Sequence, residues 1–195
     1  NREKILTKSI MNMHVEFLIE RNSAARLDEP APNRSELSVM LKSAFRVPDH
    51  AGLKPVRFIS IESHRLEALG SVFEQALINR NPAASESQRE RARKSPMRAP
   101  MIIVAVSIIA QHAKVPAMEQ RLSAGCSAYA ILLSAEAFGY SGIWRTGDAS
   151  RDSHVAKSLG VGENEEIIGF LYLGTRIGEP KMLDKNIPEN CLSHW

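Results

Sequence analysis

Gly142-Ile143-Trp144-Arg145-Thr146-Gly147 is the stretch that decides the fold. Two glycines, free to adopt backbone conformations closed to other residues, bracket an apolar pair, an arginine and a hydroxyl. Alone, such a hexamer reads as a turn beside a core tryptophan. Two segments far upstream give it a second reading: Arg21-Asn22-Ser23 and Phe45-Arg46-Val47-Pro48-Asp49-His50. Each of the three sets an arginine at the edge of a predicted helix or strand, next to small or hydrogen-bonding residues. A flat, phosphorylated ligand needs that combination, with fork-shaped cations for the phosphate and close backbone approach for the ring.

Before the hexamer, the pattern predicts a long helix after Pro116, running to Phe138 and stopped by Gly139. Its Ala124-Gly125-Cys126-Ser127-Ala128 segment is small enough for close helix packing, which makes Cys126 a packed thiol. Met101 to Ile108, rich in Ile and Val, is a buried strand candidate, and Val56 to Glu62 is another. Between these strands Leu66, Leu69, Phe73, Ala76 and Leu77 recur at helical spacing. Asn33 with Glu36 forms a capping pair for a helix carrying Leu37, Met40, Leu41 and Ala44, which Pro48 ends. Val15, Leu18 and Ile19 share one face of a predicted helix from Met11 to Glu20.

Residues 80–98 hold Pro82, Ser85, Ser87 and the run Arg89-Glu90-Arg91-Ala92-Arg93-Lys94. Their polarity predicts a mobile, lid-like segment or a solvated helix face. After the hexamer come a short helix around Val155 to Leu159, ended by Gly160, and a last strand from Ile167 to Leu173. The expected architecture is α+β: a helix–sheet sandwich around a small mixed, mainly antiparallel sheet. Residues 1–12 read as an N-terminal extension and 13–195 as a single domain.

At 195 residues, 44% hydrophobic and 24% charged, the chain can bury its own core. A net charge of +3 does not call for nucleic acid and suits a local basic pocket. Cys126 and Cys191 lack metal spacing and are expected to stay unpaired. The start is expected to be too interrupted by charge for a signal peptide's apolar core, and Met101 to Ala110 falls short of the roughly 20 apolar residues that span a bilayer. The expectation is a soluble, cytoplasmic protein without metal. No dinucleotide fingerprint, P-loop, zinc motif or nucleophile elbow is present. Glu136 reads by default as a solvent-facing helical glutamate.

In their order and spacing the three segments resemble the nitroreductase-like FMN-dependent oxidoreductases, in the short single-domain branch of that family. Gly142 to Gly147 matches a Gly-Ile-Trp-Arg-Ser-Gly loop, with Thr146 keeping the hydroxyl. Arg21-Asn22-Ser23 stands where the family has Arg-Arg-Ser or Arg-His-Ser. Lys54-Pro55-Val56 departs from Gln-Pro-Trp, exchanging an aromatic ring for a cation. Lys114-Val115-Pro116 and Gly169 to Thr175 extend the likeness, which covers roughly residues 13–175.

The resemblance implies a homodimer with two FMN sites at the subunit interface. Arg21, Asn22, Ser23, Trp144, Arg145 and Thr146 would hold one FMN, while Arg46 and His50 would reach the FMN of the other subunit. Nicotinamide contacts would fall near Ser134, Ala135, Glu136, Ala137, Phe138 and Gly139. The implied activity is NAD(P)H-dependent reduction of nitroaromatic or quinone-like small-molecule acceptors by ping-pong hydride transfer, the chemistry residing in FMN rather than in a protein side chain. Two alternatives stand beside it: a flavin-binding or sensing dimer without turnover, and a basic nucleic-acid-binding protein.

Overall fold

The computed structural model describes residues 13–184 and 186–195, so the 1–12 extension lies outside the described residues. The strands are β1 (Leu27–Asp28), β2 (Val56–Glu62), β3 (Met101–Ile108), β4 (Ser141–Arg145) and β5 (Glu165–Arg176). They form one five-stranded sheet in which β3 and β5 are central, β2 lies beyond β3, and both β4 and β1 pair with β5. Every pairing among the described residues is antiparallel, so the parallel component of the expected mixed sheet is not among them.

The alternation of β3 explains the layering. Ile102, Val104 and Val106 join Phe170 and Tyr172 of β5 in a core with Leu66, Leu69 and Phe73. Met101, Ile103 and Ala105 join Leu171 and Leu173 in a second core with Met40, Ala128, Ile131 and Leu132. A strand apolar on both faces must be covered on both, and the helices divide accordingly. One layer contains α3 (His64–Arg80), α4 (Glu86–Lys94) and α6 (Ser153–Ser158), and the other contains α2 (Arg34–Ala44) and α5 (Ala117–Ala137). Residues 13–20, helix α1, lead into the first arginine segment.

The local signals are physical. Asn33 accepts from the Ser35 and Glu36 N–H groups while Glu36 returns a bond to the Asn33 N–H, the reciprocal cap that starts α2. Small residues do let α5 approach its neighbours. Ala124, Ser127 and Ala128 are buried, and Ser127 Oγ donates to the Ala44 carbonyl at 2.7 Å. Cys126 instead lies on the exposed face of α5 rather than among packed side chains. Helical periodicity places it on the side turned away from the sheet.

Within residues 80–98, α4 is a helix with no buried residue, the solvated helix face of the two expectations. Ser85 caps α4 reciprocally with Gln88, and α4 packs on α3 closely enough that a Cβ on Gly70 would run into the Arg93 carbonyl. Arg93 pairs with Glu74, Lys94 with Glu90, and Arg89 donates to the Ala84 carbonyl, so much of the basic run is engaged within the chain. The apolar residues of α1 stay half exposed, Val15 at 54%, Leu18 at 48% and Ile19 at 50%. Among the described residues no helix is long and apolar enough to cross a membrane.

Candidate functional site

β4 positions the site. Its register sets Gly142 opposite Leu173 and Trp144 opposite Leu171, and no strand pairs with its other edge among the described residues. The Gly142 carbonyl points to that outer edge, where it accepts from the Ala24 N–H at 3.1 Å. The Arg145 carbonyl lies on the β5 side, 3.0 Å from where a Cβ on Gly169 would sit. Because strand backbone groups alternate between the two edges, the Trp144 N–H and C=O face outward. An edge of this kind offers a flat ring both donors and acceptors.

At one end of β4 sits a cationic turn. Asn22 is only 6% exposed, and it is anchored on three sides. Its N–H donates to Glu136 Oε1 at 3.3 Å, its Nδ2 donates to the Lys181 carbonyl at 2.6 Å, and its own carbonyl accepts from Arg176 Nη2 at 2.6 Å. Arg21 Nη1 reaches Ser23 Oγ at 3.4 Å. Arg176 and Lys181 border a cavity of about 610 Å³ that Asn22, Glu136 and Ser141 also line. Burial raises the Glu136 pKa against the opposing effects of the Asn22 N–H and of the Arg21 and Arg176 charges. Arg21, Arg176 and Lys181 outnumber the two carboxylates here, Glu20 and Glu136, by one charge, which suits a phosphate.

At the other end, Trp144 and Arg145 part company. The Trp144 indole N–H donates to the Ile168 carbonyl at 3.3 Å, and its ring covers Gly169, where a Cβ would overlap it. The tryptophan is therefore a packing element whose backbone, rather than its ring, is offered at the edge. Arg145 points to the opposite face, its guanidinium carbon 5.5 Å from the Tyr172 ring centroid. Its Nε is buried with no hydrogen-bond partner among the described residues. It lines a cavity of about 520 Å³ with Phe73, Arg80, Ser95 and Thr146. Thr146 is exposed.

Arg46 follows α2, whose Ser43 and Ala44 bond Ser134 and Ser127 of α5, and His50 lies farther along that helix. His50 Nδ1 lies 2.6 Å from Glu119 Oε2 in the first turn of α5, whereas Glu136 is in its last turn. At ~1.5 Å per residue the two glutamates are separated by about 25 Å along the helix axis. The nicotinamide set also divides. Ala135 is fully buried and Ser134 Oγ bonds Ser43 Oγ at 2.5 Å, while Ala137, Phe138 and Gly139 are exposed. Glu136 is half-buried under Asn22, not solvent-facing, because the arginine turn folds back over the end of α5.

Arg176 and Lys181 are the contributors that sequence reading missed. Arg176 ends β5 just beyond the apolar alternation, a position where a lone cation gives no periodic signal. Among the described residues no group of three or more His, Cys, Asp or Glu side chains could hold a metal ion.

The three-layer α+β sandwich sets a cationic turn at one end of an open β4 edge, an arrangement into which a flat, phosphorylated ligand would fit. The chain belongs to the nitroreductase family, whose model matches residues 19–175. It is 41% identical over 162 residues to the Escherichia coli (strain K12) protein named "Putative NAD(P)H nitroreductase YdjA", covering 83% of this chain and 87% of that one. A nitroreductase-like family protein from Bacillus cereus superposes with a TM-score of 0.74 at 17% identity, covering 89% of this chain and 90% of that one. A nitroreductase from Bacteroides fragilis, solved with bound FMN, gives 0.69 at 18% identity over 92% and 97% of the two chains.

Proposed function

We propose that this protein is an FMN-dependent NAD(P)H oxidoreductase, a cytoplasmic homodimer that reduces nitroaromatic or quinone-like acceptors. The observation that carries the reading is the open β4 edge with its cationic turn at one end and the outward Trp144 backbone at the other. The name of the 41% identical E. coli relative supports the activity, and the FMN in the B. fragilis nitroreductase supports the cofactor. When bound, FMN supplies hydride exchange between a nicotinamide and an oxidised acceptor.

Arg21 and Arg176 would hold the cofactor phosphate with Ser23, Asn22 fixing the turn between them. The Trp144 backbone and the Thr146 hydroxyl would orient the ring, and Arg145 would support that loop from behind through Tyr172. Exposed Ala137, Phe138 and Gly139 border the space that nicotinamide and acceptor would use in turn, a ping-pong order. Arg46 and His50, the latter at the far end of α5 from the arginine turn, would serve the site of a second subunit.

The surface available for that subunit is apolar. Met118 and Leu122 are each 62% exposed and Tyr129 is 40% exposed, a stripe along the outer face of α5. Its burial would also keep bulk water from the cofactor edge. The test is whether the purified protein releases FMN on denaturation and whether Arg21→Ala weakens its rebinding. Losing a charge-assisted bond worth about 1.5–3 kcal/mol should raise the FMN Kd roughly 10- to 150-fold. Unchanged affinity would remove Arg21 from the phosphate site.

A further inference from the structure

Glu136 is a carboxylate in the wrong place for a phosphate site, and that position has a use. It projects from the last turn of α5 to accept the Asn22 N–H, and so closes the turn that carries Arg21 and Ser23. Arg176 of β5 holds the same turn from the other side through the Asn22 carbonyl. The charged and titratable groups around Glu136 come from every packed element: Glu20 and Arg21 from the end of α1, Arg176 from β5, Lys181 from the tail, and Tyr140 just after α5. Tyr140 Oη is committed to Glu36 Oε2 at 2.9 Å and so brings no charge to the carboxylate.

We propose that Glu136 is the positioning residue of the cofactor-phosphate turn, holding its backbone and sharing its arginines, so that the phosphate is taken up together with a proton from solvent onto Glu136. The inference rests on the FMN reading above. Before the cofactor arrives, the carboxylate lies in the field of Arg21 and Arg176, which the Ser23 hydroxyl and the Asn22 carbonyl hold at the turn. An arriving phosphate competes for the same two guanidinium groups and repels the carboxylate across a partly buried space. Protonation removes the repulsion but keeps the bond, since a carboxylic acid retains an acceptor oxygen for the Asn22 N–H. Burial already favours the protonated form, and this agrees with the raised pKa of the group.

The two roles separate by substitution. Glu136→Gln keeps an acceptor for Asn22 and removes the charge, and Glu136→Ala removes both. FMN affinity is measured by flavin fluorescence from pH 5 to pH 8 for wild type and both variants, with folding checked by circular dichroism. The ratio of Glu136→Gln to wild-type affinity cancels the titration of the FMN phosphate itself. It should be roughly 3- to 10-fold in favour of Gln at pH 8 and fall toward one as pH drops. Glu136→Ala should bind more weakly than Glu136→Gln at every pH. Riboflavin, which lacks the phosphate, should show a ratio near one throughout.

A pH-independent ratio, or the same ratio with riboflavin, would overturn the proton coupling. Equal affinities for Ala and Gln in folded protein would overturn the positioning role. FMN binding that still depends on Arg21 would leave the cofactor reading standing in either case. A wild-type protein that takes up no FMN would overturn both.

Discussion

Two residues show how a single position decides geometry at the edge of β4. Gly169 is glycine because the Trp144 indole occupies the space a Cβ would need, with Cδ1 2.6 Å from it. Gly169→Ala must displace the ring and with it the β4 backbone. It should cost about 2–4 kcal/mol in stability, measured by urea denaturation, and weaken FMN binding in parallel. A stable variant with normal FMN affinity would show that the ring does not set the edge. Arg176 is the second. It bridges to the Asn22 carbonyl from a strand end with no sequence signal, so Arg176→Met should weaken FMN binding about 10- to 100-fold while leaving riboflavin binding within twofold. The family pattern made Trp144, Arg145 and Thr146 legible as a unit. It did not reveal that adjacent side chains point to opposite faces of the sheet, which follows from the period of two once the segment is a strand.

At the scale of elements, the layers were legible wherever periodicity was unbroken, as in β3, α3 and the capped α2. They were left between two readings where charge masked structure. The 80–98 segment looked unable to bury anything, yet α4 is held by a reciprocal cap at Ser85 and Gln88 and by close backbone approach at Gly70. The Ser-x-x-Gln spacing was the available signal. Ser85→Ala should therefore lower stability by about 1 kcal/mol without changing cofactor affinity, a split that thermal melts and flavin titration would register.

Another clamp joins the sheet to the α6 end. Arg57 of β2 meets Glu165 of β5 through Nε at 2.6 Å and Nη2 at 2.7 Å, and also donates to the Gly160 carbonyl. The Arg57 bonds and the Gly162 N–H hold the Glu165 carboxyl down at about 2. A carboxyl depressed in the folded state contributes stability above the ordinary carboxylate pKa near ~4.3 and loses it as pH falls toward the folded value. Stability should therefore drop between about pH 4.5 and pH 2 in wild type. The corresponding slope in Glu165→Gln should be shallower. Parallel acid profiles would show that the pair contributes nothing there.

At the scale of the whole molecule, the proposed dimer makes one chain half of two sites. His50 stands about 25 Å along α5 from the turn that Glu136 supports, and the apolar stripe of Met118, Leu122 and Tyr129 lies on the outer face of that helix. Sequence periodicity could not separate that stripe from a core face, because an interface and an interior obey the same pattern. Leu122→Glu should shift the protein from dimer to monomer in sedimentation and lower FMN retention, since both half-sites are then lost. The central claim, an NAD(P)H-fed flavin on the β4 edge, is tested most directly by anaerobic titration of the FMN-loaded protein with NADH and with NADPH. At least one donor should bleach the flavin absorbance fully, and a nitroaromatic added afterwards should restore it. A flavin that keeps its colour with both donors would contradict the account.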